Sequence, residues 1–144
     1  MKQIETETII EASPESVWSI LTDFESYPSW NPFIKSIEGI KSKGEKLSVL
    51  IQPPNGSSMN FKPTVLVFNE NEEFRWIGKL GIKGIFDGEH YFKLTKLSDN
   101  ETKFIHGEKF SGLLVALMSG VLNKTADGFK LMNEALKTKA ENKT

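Results

Sequence analysis

The segment IFDGEHYFKLTKLSDNETKFIHGEKFS, residues 85–111, decides how this chain folds. Along Ile85–Leu97 and again along Thr102–Ser111, every second residue belongs to one mainly apolar or aromatic set. A period of two is typical of β-strands that cover one face and expose the other. The short polar connection between the two runs predicts an antiparallel hairpin. Its covered face carries Phe86, Gly88, His90, Phe92 and Leu94 on the first strand, and Phe104, His106, Glu108 and Phe110 on the second.

The loop of this hairpin sets which polar residues face each other. A three-residue loop of Ser98–Asn100 places His90 directly opposite Glu108, whereas a loop of Asp99–Glu101 moves Glu108 to a diagonal position. A two-residue Asp99-Asn100 turn would pair inward with outward positions, so the alternation disfavours it. Under both three-residue loops the polar side chains of the face lie about 5–8 Å apart at Cβ. They can therefore form one hydrogen-bonded cluster.

Further strands are predicted on the N-terminal side of the hairpin. Lys2–Ala12 alternates cleanly, with Ile4, Thr6, Thr8 and Ile10 on one side. Short strands at regular spacing indicate an antiparallel meander. Glycines recur beside or within these strands, at 78, 81, 84, 88 and 107, where we expect them to permit bulges and kinks. The other predicted strands are Ile34–Ile40, Lys46–Gln52, Asn60–Asn69 and Glu73–Leu80.

Two short helices and one long helix complete the prediction. Ser13-Pro14-Glu15 is a helix start, with serine as N-cap and proline at the first helical position. The prolines of Tyr27-Pro28 and Asn31-Pro32 end this helix or force a second short turn. From Leu113 to about Lys139 apolar residues recur every three or four positions, which predicts one C-terminal helix. Glycines 120 and 128 weaken that helix, so we expect a packing constraint at both.

Composition excludes several classes of protein. The 144 residues carry a net charge of −1, with Arg75 as the one arginine, which argues against a nucleic-acid-binding protein. The absence of cysteine excludes disulfides, thiol catalysis and cysteine-ligated metals. The N-terminus lacks a signal-peptide core, and the longest apolar stretch, Leu113–Leu122, is too short to span a bilayer. We therefore expect a single cytoplasmic α+β domain over residues 1–144, without a transmembrane segment.

The order of elements, together with four motifs, resembles the SRPBCC superfamily, which includes START-type lipid carriers, polyketide cyclases and pollen-allergen-like proteins. The motifs are SPESVWSILTDFESYPSWNPF (13–33), FRWIGKLG (74–81), FDGEHYF (86–92) and MNEALK (132–137). The resemblance covers essentially the whole chain and implies a helix-grip fold. In that fold a curved antiparallel sheet of about six or seven strands wraps the long C-terminal helix. The resemblance also implies a hydrophobic ligand cavity between the sheet and the helix.

A cavity follows from the size of the sheet as well. One helix cannot fill the trough of a six- or seven-stranded curved sheet, and an empty space of about 300 Å³ would cost on the order of 7 kcal/mol. Polar groups, water or a ligand must therefore occupy part of it. The candidate ligand-binding residues are Trp30, Phe33, Phe61, Trp76, Phe86, His90, Phe92, His106, Glu108, Phe110, Leu117 and Val121.

Four hypotheses compete for His90, His106 and Glu108. In a structural role Glu108 accepts from a histidine as a satisfied buried pair. In a recognition role the three groups meet the polar head of an otherwise apolar ligand. In an acid–base role a histidine titrates near neutrality and Glu108 orients it. In a metal site two histidines and a carboxylate hold an ion, which nothing beyond His106-x-Glu108 supports.

The leading functional hypothesis is binding or carriage of a small hydrophobic molecule, with no cofactor and no metal. The rival is a polyketide cyclase- or dehydratase-like enzyme that uses His90 or His106, with Glu108, as its acid–base group. A third hypothesis, a module that binds protein partners through an exposed patch, has no supporting sequence feature. Nothing in the sequence selects an oligomeric state or names the ligand.

Overall fold

A computed structural model describes residues 2–79, 87–112 and 119–142 of the chain. Over these ranges the order of elements is the predicted one, from an N-terminal strand to a long C-terminal helix. The strands are β1 (Lys2–Ile10), β2 (Ile34–Gly39), β3 (Leu47–Ile51), β4 (Met59–Phe61), β5 (Thr64–Asn69), β6 (Glu73–Lys79), β7 (Asp87–Ser98) and β8 (Glu101–Ser111). The helices are α1 (Pro14–Leu21), α2 (Tyr27–Trp30) and α3 (Ser119–Glu141), with a 3-10 turn at Phe24–Ser26.

The strands form two antiparallel sheets that meet at one edge. Five strands pair in the order β1-β8-β7-β6-β5, and three pair in the order β2-β3-β4. Lys46 bridges to Thr64, and the Val65 amide donates to the Glu45 carbonyl, so backbone hydrogen bonds link the start of β3 to β5. With α3 against the sheet, this is an α+β helix-grip architecture, as expected.

The prediction of a single strand over Asn60–Asn69 is wrong. Asn60–Asn69 divides into β4 and β5, because Lys62-Pro63 interrupts it. Proline lacks the amide hydrogen that a central strand must donate. The interruption also moves the chain between sheets, since β4 pairs with β3 and β5 pairs with β6.

The β7–β8 hairpin corrects a second expectation. Ser98 pairs with Glu101, so the connection is the two-residue turn Asp99-Asn100 that the alternation disfavoured. The register then shifts between Lys96 and Ser98, which leaves Leu97 as an extra residue on β7. A bulge of this kind restores the parity of inward and outward positions. As a result His90 lies opposite Glu108, which is the pairing that the first of the two loop models predicts.

Glycines in the sheet serve close packing rather than bulges. The register runs without a shift through Gly78, Gly88 and Gly107, so no bulge lies at these three positions. Gly81 and Gly84 lie outside the described residues. A Cβ at Gly107 would overlap the ring of Tyr91, which covers it on the outer face. A Cβ at Gly88 would overlap the Glu108 carboxyl group on the inner face. These glycines therefore make room for a neighbouring side chain.

Helix α3 closes the core over the larger sheet. Its buried apolar residues recur at helical spacing and pack with the inward residues of the strands. The predicted start, residues 113–118, lies outside the described residues, and the helix ends at Glu141, two residues beyond the predicted Lys139. The buried apolar positions described on α3 are Leu122, Phe129, Met132, Leu136 and Ala140.

The two glycines of α3 predict opposite effects of the same substitution. A Cβ at Gly128 would overlap the buried ring of Phe33, whereas a Cβ at Gly120 meets no described atom within 4 Å. Alanine gains up to about 1 kcal/mol over glycine in a helix. Overpacking a core costs about 1–3 kcal/mol. We expect Gly120→Ala to raise and Gly128→Ala to lower the free energy of unfolding, measured by urea denaturation. Equal stabilisation by both would contradict the close approach of α3 to Phe33.

Candidate functional site

Two histidines and a glutamate lie in contact inside the protein. His90 and His106 are completely buried, and their Nε2 atoms are 2.7 Å apart. The other nitrogen of His90, Nδ1, lies 3.2 Å from Oε1 of Glu108. The register of β7 and β8 produces this arrangement, because it sets His90 opposite Glu108 and Phe92 opposite His106. The predicted cluster therefore forms.

Two further residues extend the cluster to β1 and α3. Nδ1 of His106 lies 2.9 Å from Oδ1 of Asn133, and Nδ2 of Asn133 donates to the Thr6 hydroxyl at 2.8 Å. The Thr6 hydroxyl donates to the backbone oxygen of His106 at 2.9 Å. We call Glu108, His90, His106, Asn133 and Thr6 the polar cluster. It ties the two central strands to the helix that covers them.

Aromatic rings enclose both imidazoles. His90 stacks on Trp76 with ring centroids 4.8 Å apart, and His106 stacks on Phe129 at 4.0 Å. Phe129 also contacts Phe33 at 5.5 Å, so a side chain of α3 fills the trough at this level. The space around the two imidazoles is therefore filled by rings.

Burial reverses the usual protonation preferences of the cluster. It lowers the pKa of His90 to about 3. The pKa of His106 is also lowered, first by burial and then by the neighbouring His90. Burial raises the pKa of Glu108 to about 8. At neutral pH both imidazoles are thus uncharged, and the carboxyl group is the member that titrates closest to neutrality.

The contacts and the pKa shifts bear on the hypotheses for the cluster. Glu108 contacts His90, as in the structural hypothesis, but the distance of 3.2 Å does not by itself set which of the two donates. The acid–base hypothesis assigns the titration to a histidine, but burial lowers the pKa of both histidines and raises that of Glu108, because desolvation disfavours the charged form of each group. An acid–base role would therefore fall to Glu108 rather than to a histidine.

The geometry of the pair does not fit a metal ion. Two imidazole nitrogens on one tetrahedral zinc lie about 3.3 Å apart, given bonds of about 2.0–2.1 Å. The Nε2 atoms of His90 and His106 lie at hydrogen-bonding distance instead, 2.7 Å. Within the described parts of the chain, no group of three or more histidine, aspartate or glutamate side chains is arranged to hold a metal ion.

Two opposed glycines lie on the inner face of the sheet beside Glu108, whose carboxyl group covers one of them, Gly88. Gly78 of β6 lies opposite Gly88 of β7, and both follow the inward parity of Trp76 and His90. A Cβ at Gly78 would meet, among the described residues, one atom within 4 Å, Cβ of Pro63 at 3.7 Å. We call this pair of opposed glycines the bare floor. The Glu108 side chain, although it faces inward, is 16% exposed.

The other predicted lining residues fall into three groups. Phe33, Trp76, Phe92 and Phe110 are buried, and Phe110 packs with Leu122 of α3. Trp30 and Phe61 are half-buried against the core. Phe86, Leu117 and the side chain of Val121 lie outside the described residues.

The Asn31 side chain shapes the Trp30-Asn31-Pro32-Phe33 segment. Oδ1 of Asn31 accepts from the amides of Phe33 and Ile34 at 3.0 and 2.8 Å, so its oxygen closes the turn into β2. Nε1 of Trp30 and Nδ2 of Asn31 are buried and find no hydrogen-bond partner within the described part of the chain.

Sequence reasoning missed three residues that shape the site. Phe129 and Asn133 share the helical spacing that predicted Met132 and Leu136 as core, and an asparagine within such an apolar stripe is the available signal. Thr6 was placed on the same side of the first strand as Ile4 and Ile10 but given no partner. Its partner, Asn133, lies 127 residues away in the chain.

Residues 1–141 match the model of the family described as polyketide cyclase / dehydrase and lipid transport. The chain belongs to this family. The match covers nearly the whole chain and agrees with the expected SRPBCC-type protein. No curated protein matches the chain in sequence.

Several solved structures share the fold of this chain. A START superfamily protein from Mycobacterium smegmatis has 23% identity, a TM-score of 0.78 and coverage of 99% of each chain. The ZhuI aromatase/cyclase from a Streptomyces species has 12% identity and a TM-score of 0.77, covering 97% of this chain and 93% of that one. A Thermus thermophilus protein has 14% identity and a TM-score of 0.74, covering 96% and 97%. At these identities the likeness shows the fold.

None of the described helices combines the length and the apolar character that a membrane-spanning helix needs.

Proposed function

We propose that this protein binds a small, mainly apolar molecule between the five-stranded sheet and α3, at the end of the trough where Glu108 lies. The observation that carries the proposal is the bare floor, Gly78 opposite Gly88, next to a carboxyl group that faces inward. Ligand pockets combine apolar walls with a few polar groups that orient the ligand. Glu108 supplies such a group, and Phe110 and Leu122 supply an apolar wall.

The proposed position of the ligand follows from the part of the trough that α3 fills. Phe129 occupies the level of the two imidazoles, where it contacts His106, His90 and Phe33. The ligand space therefore begins beyond His90, toward Phe110. Two surface depressions beside α1, of about 450 and 440 Å³, contain none of the predicted ligand-binding residues and play no part in this proposal.

The family supports the same conclusion, because its description names lipid transport beside polyketide cyclases. A fold can host several functions, so the proposal rests on the site rather than on the fold.

Filling the bare floor tests this proposal. Nile red, a neutral apolar dye, is expected to bind the wild-type protein saturably with a rise in fluorescence. Gly78→Val should abolish that binding without unfolding the protein, because a Cβ there makes an ordinary contact with Pro63 and valine suits a strand. Ile77→Val, on the outward face of the same strand, is the matched control. Unchanged dye binding by a folded Gly78→Val protein would refute the proposed location.

A second candidate is a cyclase- or dehydratase-like enzyme, and the observation that favours it is the raised pKa of Glu108, about 8. A general acid–base group works best when its pKa lies near the working pH. In such an enzyme Glu108 would exchange a proton with a polyketide-type substrate, and His90 would orient the carboxyl group. Turnover of a poly-β-ketone that is lost in Glu108→Gln while Nile red binding persists would favour this candidate over carriage.

A further inference from the structure

The polar cluster is one continuous chain of hydrogen bonds with an identifiable direction. It runs from the backbone oxygen of His106 through Thr6, Asn133 and the two imidazoles to Glu108. Each member between the two ends is a donor toward one neighbour and an acceptor toward the other. Because a neutral imidazole carries one N–H, fixing the direction at one end fixes it at every link.

The end at Thr6 fixes the direction. A backbone oxygen can only accept, so the single hydroxyl proton of Thr6 is used on the carbonyl of His106. The Thr6 oxygen must then accept from Asn133, which turns the amide nitrogen of Asn133 toward Thr6 and its oxygen toward His106. An asparagine side chain is symmetric in shape, so the threonine hydroxyl is what selects its orientation.

The same direction of donation fixes which nitrogen of each imidazole carries the hydrogen. Oδ1 of Asn133 can only accept, so Nδ1 of His106 carries the hydrogen and its Nε2 is unprotonated, or bare. His90 must then donate from Nε2, which leaves its own Nδ1 bare. That bare nitrogen faces Oε1 of Glu108 at 3.2 Å, and only a protonated carboxyl group can donate to it.

From this geometry, and on the basis of the proposed function, we infer that Glu108 presents a neutral carboxylic acid to the ligand. Its Oε1–H is committed to His90, and its Oε2, over Gly88, is left as an acceptor. The ligand's polar group is then an uncharged hydrogen-bond donor, an alcohol or a phenol, rather than a carboxylate or phosphate. Burial of Glu108, which raises its pKa, agrees with this protonation state.

Among the residues that the structure describes, none places a cation beside Glu108 to hold an anionic ligand. The described residues that face it are Ile4 on β1, Gly88 and His90 on β7, and the apolar side of α3. Lys2, at the same parity on β1, pairs with Phe110 and is exposed. Lys124 of α3 donates to the backbone of Asn55 at the surface.

The direction of the chain is tested without a ligand. The protein has two histidines, so a long-range ¹H–¹⁵N correlation spectrum at pH 6.5 resolves both tautomers. We expect an Nδ1–H form for His106 and an Nε2–H form for His90, assigned with a His90→Gln variant. An Nδ1–H form for His90 would mean that it donates to an ionised Glu108, and this would overturn the inference.

The ligand class is tested with three probes of one shape: 1-naphthol, 1-naphthoate and naphthalene. By calorimetry at pH 6.5 we expect 1-naphthol to bind at least tenfold more tightly than 1-naphthoate. Equal or tighter binding of 1-naphthoate would overturn the inferred ligand class. Binding of none of the three, together with no Nile red binding, would refute the proposed function, while the tautomers would still decide the direction of the chain.

Thr6 supplies a matched pair of variants. Thr6→Ser keeps the hydroxyl and should keep both tautomers and the preference for 1-naphthol. Thr6→Val removes the hydroxyl that orients Asn133, so we expect mixed tautomers and a preference reduced severalfold. Unchanged tautomers in Thr6→Val would show that Thr6 does not set the direction. If Thr6→Val does not fold, the wild-type and Thr6→Ser spectra still test the prediction.

Discussion

The free energy of unfolding is expected to fall by about 2 kcal/mol between pH 6.5 and pH 9, and Glu108→Gln is expected to remove this loss. The folded protein keeps a proton on Glu108 up to about pH 8, whereas the ordinary pKa of 4.5 describes the unfolded chain. Folding therefore takes up a proton over this window. Where the folded state binds more protons, stability decreases as pH rises.

Below pH 6.5 the two histidines make the free energy of unfolding change with pH in the opposite sense. Both are neutral in the folded protein because burial lowers their pKa, to about 3 for His90, whereas unfolded histidines take up protons below about pH 6.5. Stability therefore falls as pH drops from 6.5 toward 3. Together the three groups predict a stability maximum near pH 6.5.

Urea denaturation at a series of pH values separates the loss of stability above pH 6.5, the alkaline limb, from the loss below it, the acid limb. Glu108→Gln should flatten the alkaline limb and keep the acid limb, because a glutamine amide can donate to Nδ1 of His90 as the neutral acid does. Glu101→Gln, an exchange of the same kind on the same strand, outside the polar cluster, is the control and should leave both limbs in place. A wild-type protein whose stability is flat from pH 6.5 to 9 would mean that Glu108 is already ionised at neutral pH.

Phe129→Ala is expected to lower the free energy of unfolding by about 3–5 kcal/mol, the usual cost of removing a buried aromatic side chain. Phe129 is completely buried and packs its ring on His106 at 4.0 Å and against Phe33 at 5.5 Å. Its loss would leave a cavity beside two neutral imidazoles. Nile red or naphthalene is then expected to bind the variant at a second place in the trough.

Leu131→Ala is the matched control for this change. Leu131 is also a large apolar residue of α3, but it is 48% exposed, so its truncation should alter stability by less than about 0.5 kcal/mol. Denaturation midpoints of the two variants measured side by side make the comparison. A loss below about 1 kcal/mol for Phe129→Ala would mean that the trough at the histidines is not filled as described.

The exchange of roles between the carboxyl group and the imidazoles has a simple electrostatic origin. The acid–base hypothesis took a histidine as the titrating group because its ordinary pKa lies near neutrality. In the folded protein no cation lies among the described residues around Glu108, and no ionised acid compensates an imidazolium. Desolvation therefore favours the uncharged form of all three groups. The bond between Glu108 and His90 is best described as one between neutral partners.

The alternation of residues 85–111 predicted the inward aromatic face and left two pairings for His90, of which the one opposite Glu108 is observed. The helix that covers this face was predicted from the spacing of apolar residues after Leu113, and both predictions follow from local periodicity. Which part of the trough is filled depended on Phe129 of α3, and the direction of the polar cluster depended on Thr6 and Asn133, which lie 127 residues apart. Contacts between distant segments leave no local pattern. Protonation follows from burial, and burial exists only once the sheet and helix have closed on each other.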